Sequence, residues 1–264
     1  MRWKILWFLV ILNTLPASAT SIDTLLIFSK AMNKEVPNIV IYPSKMNPEQ
    51  EKPLSVIYLL HGADGSYTDW VTKVPELLEY ADRYHLIIVC PDGGHNSWYF
   101  DSPFDKEMQY ETYISKELID FIDLNYPTIN DRKGRAIAGL SMGGHGAFYL
   151  AFRHQEVYGA AGSMSGGLDL IPYPDGWDIK KRLGEYALYP ENWEKNTLIN
   201  MVSYLENDFL KLIMDCGIDD FFFDSNQRMH KALVDNKIPH DYIERSGAHN
   251  WEYWANSIQY QTVF

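Results

Sequence analysis

The feature that most constrains this chain is a sharp turn between an apolar strand and an apolar helix, within residues 135–151. The segment reads RAIAGLSMGGHGAFYLA. Residues 136–138 have the composition of a buried strand, and the helix after the turn has an apolar side. The turn itself is G-x-S-x-G with Ser141 at its centre. Its flanking residues are glycines because a side chain there would collide with the neighbouring strand and helix backbones. The segment predicts an α/β fold and a serine placed for nucleophilic attack; a glycine-rich turn with an incidental serine is the alternative.

The rest of the chain alternates buried strands with helices. Apolar runs bounded by turn residues predict strands at 24–28, 38–42, 56–60, 85–90, 158–163, 210–215 and 240–245. Helical spacing predicts helices at 70–84, 110–126, 225–236 and 250–260. This alternation is typical of a mostly parallel sheet with helices on both faces. A polar connection at 32–37 suggests that the first two strands form a hairpin.

The first nineteen residues have the parts of a secretory signal peptide. Arg2 and Lys4 give a positive start, residues 5–12 are apolar but too short to span a bilayer, and Ala17 and Ala19 form an A-x-A cleavage pattern. We therefore expect cleavage after Ala19 and a secreted or periplasmic chain without a stable membrane anchor. An uncleaved anchor is the alternative.

Residues 20–264 are predicted to form one domain. They carry no linker, and a chain of 264 residues that is 46% hydrophobic can bury one sizeable core. The formal net charge of −12 makes nucleic acid and anionic membrane surfaces poor partners, because both are polyanions.

A serine hydroxyl needs a base to take its proton and a carboxylate to orient that base. His249 lies between a predicted strand and the last helix, and Asp220 lies just after another strand. The chain order Ser141, Asp220, His249 is the one that a nucleophile turn of this type requires. Asp219 remains the alternative acid, since adjacent residues point apart. A calcium site among the carboxylates of residues 215–224 is disfavoured, because the spacing lacks an EF-hand pattern.

Backbone N–H groups and loop side chains complete the predicted site. The N–H groups of Met142, next to the serine, and of Ala63, in the loop after strand 56–60, are expected to stabilise an oxyanion. Trp98, His95 and Trp251 lie in loops at the carboxyl ends of strands, where ligands bind to such sheets. We therefore predict that these three side chains contact the substrate. No metal or organic cofactor is expected.

Five motifs, taken together and in order, carry a resemblance to a known family: LLHGADG, PDGG, GLSMGG, CGIDD and GAHNWEYW. They resemble the putative-esterase branch of the α/β-hydrolases. This branch includes esterase D (S-formylglutathione hydrolase), the mycolyltransferases, and the feruloyl and acetylxylan esterases of carbohydrate esterase family 1. The resemblance implies an eight-stranded sheet in the order 1-2-4-3-5-6-7-8. It also implies the roles already suggested: Ser141 as nucleophile, Asp220 as acid, His249 as base, and Ala63 and Met142 as oxyanion donors.

The implied strand order also bears on the two cysteines. An exported protein can form disulfides, but Cys90 and Cys216 would end strands well separated in this sheet. Their Cα atoms would be farther apart than the roughly 7 Å that a disulfide allows. Both thiols are therefore predicted to be free.

Resemblance and export together imply a serine esterase acting on a small-molecule or polysaccharide ester, with acetyl or feruloyl groups on plant polysaccharide as the expected substrate. Three alternatives remain open: a broad short-chain esterase similar to S-formylglutathione hydrolase, an acyltransferase, and a carbohydrate-binding module without activity. The sequence does not indicate an oligomeric state.

Overall fold

The structure is a computed structural model that describes residues 20–43, 52–206 and 209–264. The predicted signal peptide, residues 1–19, lies outside the described residues. Within these ranges eight strands form one sheet. They are β1 (Ser21–Ser29), β2 (Lys34–Tyr42), β3 (Ser55–Leu60), β4 (Leu86–Pro91), β5 (Arg135–Leu140), β6 (Ala160–Met164), β7 (Lys211–Gly217) and β8 (Asp241–Arg245).

The sheet has the strand order β1-β2-β4-β3-β5-β6-β7-β8. The strands β1 and β2 are antiparallel to each other, β2 is antiparallel to β4, and every pair from β4 to β8 is parallel. Strand β4 is buried along its whole length, as expected of a strand covered on both faces. The predicted fold class and strand order are confirmed.

The N-terminal hairpin is longer than the sequence suggested. Strand β2 already begins at Lys34, and its register pairs Leu26 with Pro37. The turn is therefore confined to the residues around Asn33, which has a left-handed φ of 52°. The prediction of a polar connection through residue 37 was wrong. Alternate side chains at the start of β2 face solvent, so polar residues occur inside this strand of the outer hairpin.

Helices cover both faces of the sheet. They are α1 (Asp69–Lys73), α2 (Leu77–Tyr84), α3 (Tyr110–Thr112), a π-helical turn (Tyr113–Glu117), α4 (Leu118–Asn125), α5 (Met142–Arg153), α6 (Ile179–Leu183), α7 (Pro190–Asn196), α8 (Leu198–Met201), α9 (Phe223–Asp235) and α10 (Trp251–Val263). Residues of α1, α2 and α10 form one buried cluster, and residues of α4, α5 and α9 belong to the other.

The predicted helix 70–84 is two helices. Val74, between α1 and α2, has φ −133° and ψ 69°, outside the helical region. The following residue is Pro75, whose ring disfavours the helical conformation in the residue before it. The break turns the chain and lets Trp70, Leu77 and Ala81 all pack in the cluster beside α10.

The two cysteines are free and buried, as predicted. Cys90 lies on β4 and Cys216 on β7, and three strands separate them in the sheet. At about 4.8 Å per strand spacing this is a distance of about 19 Å. Burial raises the pKa of the Cys90 thiol to about 12 and that of Cys216 further still, so neither is a ready nucleophile.

Over the described ranges, no helix has both the length and the apolar content needed to cross a membrane.

Candidate active site

Ser141 stands at the turn between β5 and α5 with φ 55° and ψ −118°, a conformation that non-glycine residues rarely adopt. Hydrogen bonds hold it there: its N–H donates to Met164 O over 2.9 Å, and its carbonyl accepts from His145 N over 3.0 Å. The close approach of α5 to β3 requires Gly143, since a Cβ there would lie 2.5 Å from Leu60 O. The strained turn therefore presents the Ser141 hydroxyl at the end of the sheet.

The structure brings Ser141, His249 and Asp220 into one hydrogen-bonded chain. His249 Nε2 lies 2.9 Å from Ser141 Oγ, and His249 Nδ1 lies 2.9 Å from Asp220 Oδ2 and 3.0 Å from Oδ1. A carboxylate only accepts hydrogen bonds, so Nδ1 carries the imidazole proton. Nε2 is then free to accept the proton of the serine hydroxyl.

The carboxylate of Asp220 is buried and doubly held. Its Oδ1 accepts from Phe222 N over 2.8 Å in addition to the imidazole. Asp219, the alternative acid, is exposed, and no hydrogen bond joins its side chain to His249 among the described residues. Of the two adjacent carboxylates, Asp220 is the one that meets the base.

The loops that carry the acid and the base are joined by backbone hydrogen bonds beyond the ends of β7 and β8. Ile218 N donates to Arg245 O over 2.9 Å, and Asp219 N donates to Gly247 O over 3.0 Å. A Cβ at Gly217 would collide with the backbone of Gly247, so the close contact of the two loops requires glycine. This continued ladder sets the distance between Asp220 and the base.

The loop after β3 passes directly beside the serine. A Cβ placed at Gly62 would be only 3.4 Å from Ser141 Cβ. Buried His61 fixes this loop, since its Nε2 accepts from Gly93 N over 2.7 Å and its carbonyl accepts from Tyr99 over 3.0 Å. Burial lowers the pKa of His61, which keeps the ring neutral and able to accept.

Both predicted oxyanion donors lie at this junction. Met142 is the first residue of α5, where backbone N–H groups have no partner within the helix. Ala63 follows Gly62 and borders the same cleft as Ser141. In the described part of the chain neither N–H has an acceptor, so both are available to an oxygen at the serine.

A cleft of about 550 Å³ opens above Ser141 and His249. Its walls are strongly aromatic, with contributions from Trp177, Phe221, Trp251 and Trp254. No group of three or more His, Cys, Asp or Glu side chains suited to a metal ion is present among residues 20–43, 52–206 and 209–264.

The three predicted substrate contacts have different positions. Trp251 lines the cleft and packs edge-on against buried Trp70, with ring centroids 5.2 Å apart. His95 lies at the rim: its ring is 65% exposed and its Nδ1 is 3.2 Å from Asp64, which borders the cleft. Trp98 is only 1% exposed and does not line the cleft. The structure therefore does not bring Trp98 to the cleft wall, because its ring packs in the core against His145 of α5, with centroids 5.3 Å apart.

Sequence reasoning missed Phe221 altogether. Its ring lies over the imidazole of His249, with centroids 4.1 Å apart and planes inclined at 37°, and the residue is 51% exposed. The signal available in the sequence was its position directly after the candidate acid. Phe222 and Trp254 also contact His249, edge-on, so three aromatic rings surround the imidazole.

Comparison with known proteins identifies related chains. The sequence profile of the family described as "Putative esterase" matches residues 29–262. An acetyl esterase of Caldicellulosiruptor saccharolyticus is 27% identical over 253 residues, which are 88% of this chain and 92% of that protein. The diacylglycerol acyltransferase/mycolyltransferase Ag85A of Mycobacterium tuberculosis is 27% identical over 76% of this chain and 70% of its own length. Among solved structures, a ferulic acid esterase superposes with a TM-score of 0.78 at 29% identity, covering 92% of this chain and 96% of that one.

Proposed function

We propose that this chain is an exported serine esterase that removes acetyl or feruloyl groups from plant polysaccharide. The chain belongs to the putative-esterase family and is a carboxylic ester hydrolase of the α/β-hydrolase fold. The observation that carries the proposal is the hydrogen-bonded chain from Ser141 through His249 to buried Asp220, at the base of an open aromatic cleft. This is the arrangement that a serine nucleophile needs.

In the proposed reaction, Ser141 Oγ attacks the carbonyl carbon of the ester while His249 Nε2 takes the hydroxyl proton. The carbonyl oxygen becomes negative and is stabilised by the N–H groups of Ala63 and Met142. Asp220 holds the imidazole in place and stabilises its positive charge. His249 then gives the proton to the alcohol oxygen, which leaves, and an acyl group remains on the serine.

Water then hydrolyses the acyl-enzyme, with the proton transfers of the first half running in reverse. His249 takes a proton from water, the resulting hydroxide attacks the acyl carbon, and Ser141 leaves with the proton that the imidazole returns. The products are a carboxylic acid and an alcohol. The proposed steps use Ser141, His249, Asp220 and two backbone N–H groups of this chain, together with the ester and one water molecule.

The predicted export of the chain is consistent with the proposed polysaccharide substrate. A polysaccharide cannot enter a cell intact, so an enzyme that acts on it works outside the cytoplasm. Residues 1–19 have the composition of a signal peptide cut near Ala19, and cleavage there places the enzyme in the periplasm or outside the cell. The similarity to an acetyl esterase and to a ferulic acid esterase supports acetyl and feruloyl as the candidate acyl groups.

Acyl transfer to an alcohol is the second candidate. Its support is the similarity to the mycolyltransferase Ag85A over 76% of this chain. Transfer and hydrolysis share the acyl-enzyme and differ only in whether an alcohol or water attacks it. Adding a sugar alcohol to the assay distinguishes them, because transfer produces a new ester and hydrolysis produces free acid.

The test of the proposed function is acid release from acetylated xylan and from methyl ferulate, with the wild type and Ser141→Ala. We expect release from at least one substrate, and loss by several orders of magnitude in the variant if the three residues act as a unit. Cleavage of simple alkyl acetates without cleavage of either of these substrates would refute the polysaccharide substrate. Full activity of Ser141→Ala would refute the mechanism.

A further inference from the structure

We propose that Trp177 and Phe221, with a polar rim formed by Asp64, His95 and Asp178, bind the sugar ring of the leaving alcohol. We refer to the first pair as the aromatic wall and to the three polar residues as the rim. This inference rests on the proposed function, since it names the part of the cleft that would recognise the alcohol half of the ester.

The aromatic wall is continuous with the catalytic imidazole. Phe221 lies over His249 with ring centroids 4.1 Å apart, and Trp177 stacks on Phe221 at 5.7 Å with planes inclined at 17°. Both rings line the cleft that contains Ser141. Phe221 is 51% exposed and Trp177 is partly exposed, so aromatic surface next to the catalytic group is accessible to the flat apolar face of a ligand ring.

The rim supplies polar atoms at the edge of the aromatic wall. Asp178 directly follows Trp177, and His95 bridges the two carboxylates, 3.2 Å from Asp64 Oδ1 and 3.8 Å from Asp178 Oδ2. The imidazole and the Asp64 carboxylate are both about two-thirds exposed, at 65% and 64%. Carboxylates accept hydrogen bonds from hydroxyl groups, and an imidazole can donate or accept. A ring with an apolar face and hydroxyls at its edge, as in a sugar, complements this combination.

Trp177 is held in a conformation that costs free energy. Trp177 and Asp178 both have left-handed backbone angles, with φ values of 41° and 58°. Trp98 stabilises this bend, because its buried Nε1–H donates to Trp177 O over 3.1 Å. The N–H of Trp98 in turn contacts Met142 Sδ at 3.4 Å, beside the nucleophile. Strain of this kind is retained where the surroundings impose it, and here it positions the Trp177 side chain in the cleft.

The surrounding segment is anchored as well. Arg182, on α6, donates to Asp105 Oδ2 over 2.7 Å, and its carbonyl accepts from Ser102 over 2.8 Å. The side chain of Arg182 is buried, so these contacts tie the β6–β7 insertion to the loop after β4. The aromatic wall is therefore a preformed surface.

The chemistry of the reaction indicates which half of the ester meets this wall. His249 Nε2 must reach the alcohol oxygen in order to protonate it, whereas the carbonyl oxygen is directed to Ala63 and Met142. The alcohol therefore extends past the imidazole. Phe221 covers a face of that imidazole, and Trp177 continues from it.

The experiment compares two esters with the same acyl group and different alcohols. One pair is acetylated xylo-oligosaccharide and methyl acetate, and the other is feruloylated arabinose and methyl ferulate. The measured quantity is the ratio of kcat/KM for the sugar ester to kcat/KM for the methyl ester. The variants are Trp177→Leu, Phe221→Leu, Trp98→Phe and His95→Ala, with thermal melting as the check on folding. Tyr189→Leu is the matched control, since Tyr189 is an exposed aromatic residue of the same insertion that packs on Phe104.

We expect wild type to favour the sugar ester and Trp177→Leu to lower the ratio about 3- to 10-fold, the usual contribution of an aromatic contact. Trp98→Phe keeps a buried ring but removes the donor to Trp177 O, so its ratio falls in the same direction by less. Tyr189→Leu leaves the ratio unchanged. If Trp177→Leu does not fold, Phe221→Leu and His95→Ala test the same site, because both of these side chains are already exposed.

Two results would overturn the inference, and only the second would also refute the proposed polysaccharide substrate. If wild type prefers the sugar ester and every folded variant keeps that preference, the aromatic wall is not the sugar site, while the proposed function stands. If wild type cleaves both methyl esters but gains nothing from the sugar, the polysaccharide substrate and the inference fail together.

Discussion

The replacement Asp220→Asn tests the role of the buried carboxylate with almost no change of shape. Asp220 Oδ1 accepts from Phe222 N over 2.8 Å, and that buried N–H requires an acceptor. In the variant, the amide oxygen therefore takes the Oδ1 position and the amide NH2 group faces His249. The NH2 group donates to His249 Nδ1, which moves the imidazole proton to Nε2. Nε2 can then no longer accept the proton of Ser141.

The same change removes the charge that stabilises the imidazolium. For unit charges about 4 Å apart at an effective dielectric constant of about 20, the attraction is about 4 kcal/mol. Each 1.36 kcal/mol is a factor of ten in rate, so we expect kcat to fall about 10³-fold. Since the amide preserves the hydrogen bond to Phe222, the melting temperature should change little.

The assay is the steady-state hydrolysis of methyl ferulate and of an alkyl acetate, with thermal melting in parallel. Asp219→Asn is the matched control, because Asp219 is the adjacent carboxylate and is exposed. We expect less than a twofold change for the control. If Asp220→Asn kept a third or more of the wild-type kcat, or if Asp219→Asn were the damaging change, the position of the acid in this account would be wrong.

Three further predictions concern stability, the oxyanion donors and the thiols. Burial raises the pKa of Asp215 from 3.8 to about 7 despite Arg245 at 3.1 Å, so its contribution to stability is fully present below about pH 4 and is lost as the pH rises through about 7. We expect the free energy of unfolding, measured by chemical denaturation, to fall between pH 4 and 8 by up to about 4 kcal/mol more in wild type than in Asp215→Asn. An equal pH dependence of the free energy of unfolding in the two proteins would contradict this. Ala63→Pro removes one N–H donor and should lower kcat about 10²- to 10³-fold with KM little changed; an unaltered kcat would exclude this donor. Native protein should resist alkylation at Cys90 and Cys216, whereas unfolded protein should gain two labels by intact mass without reduction; unfolded protein that gains none would show a disulfide.

The strand–turn–helix around Ser141 was predictable because its signals are local. The glycines, the apolar strand and the helix lie within a few residues of the serine, and each is needed for the turn to close. Asp220 and His249 could be found as well, since parallel strands place their carboxyl ends at one edge of the sheet and both residues directly follow such ends.

The walls of the cleft could not be predicted in the same way. Trp98 and Trp177 both lie in loops and are alike in composition, yet Trp98 is buried and Trp177 lines the cleft. Both have left-handed φ values, and what distinguishes them is the partner of each ring: Trp98 packs on His145 of α5, whereas Trp177 packs on Phe221, and both contacts are distant in the sequence. Phe221 was missed for a related reason, because nothing in its local sequence shows that His249 packs on it.

The central claim is that Ser141 is a nucleophile activated by His249. Its most direct test is labelling of the folded protein with a fluorophosphonate, followed by peptide mass spectrometry to locate the label. We expect a single phosphonate on Ser141, no label in Ser141→Ala, and labelling slowed by several orders of magnitude in His249→Gln if the base is required. Ester hydrolysis that persists without any label on Ser141, or a label that His249→Gln acquires at the wild-type rate, would contradict the account.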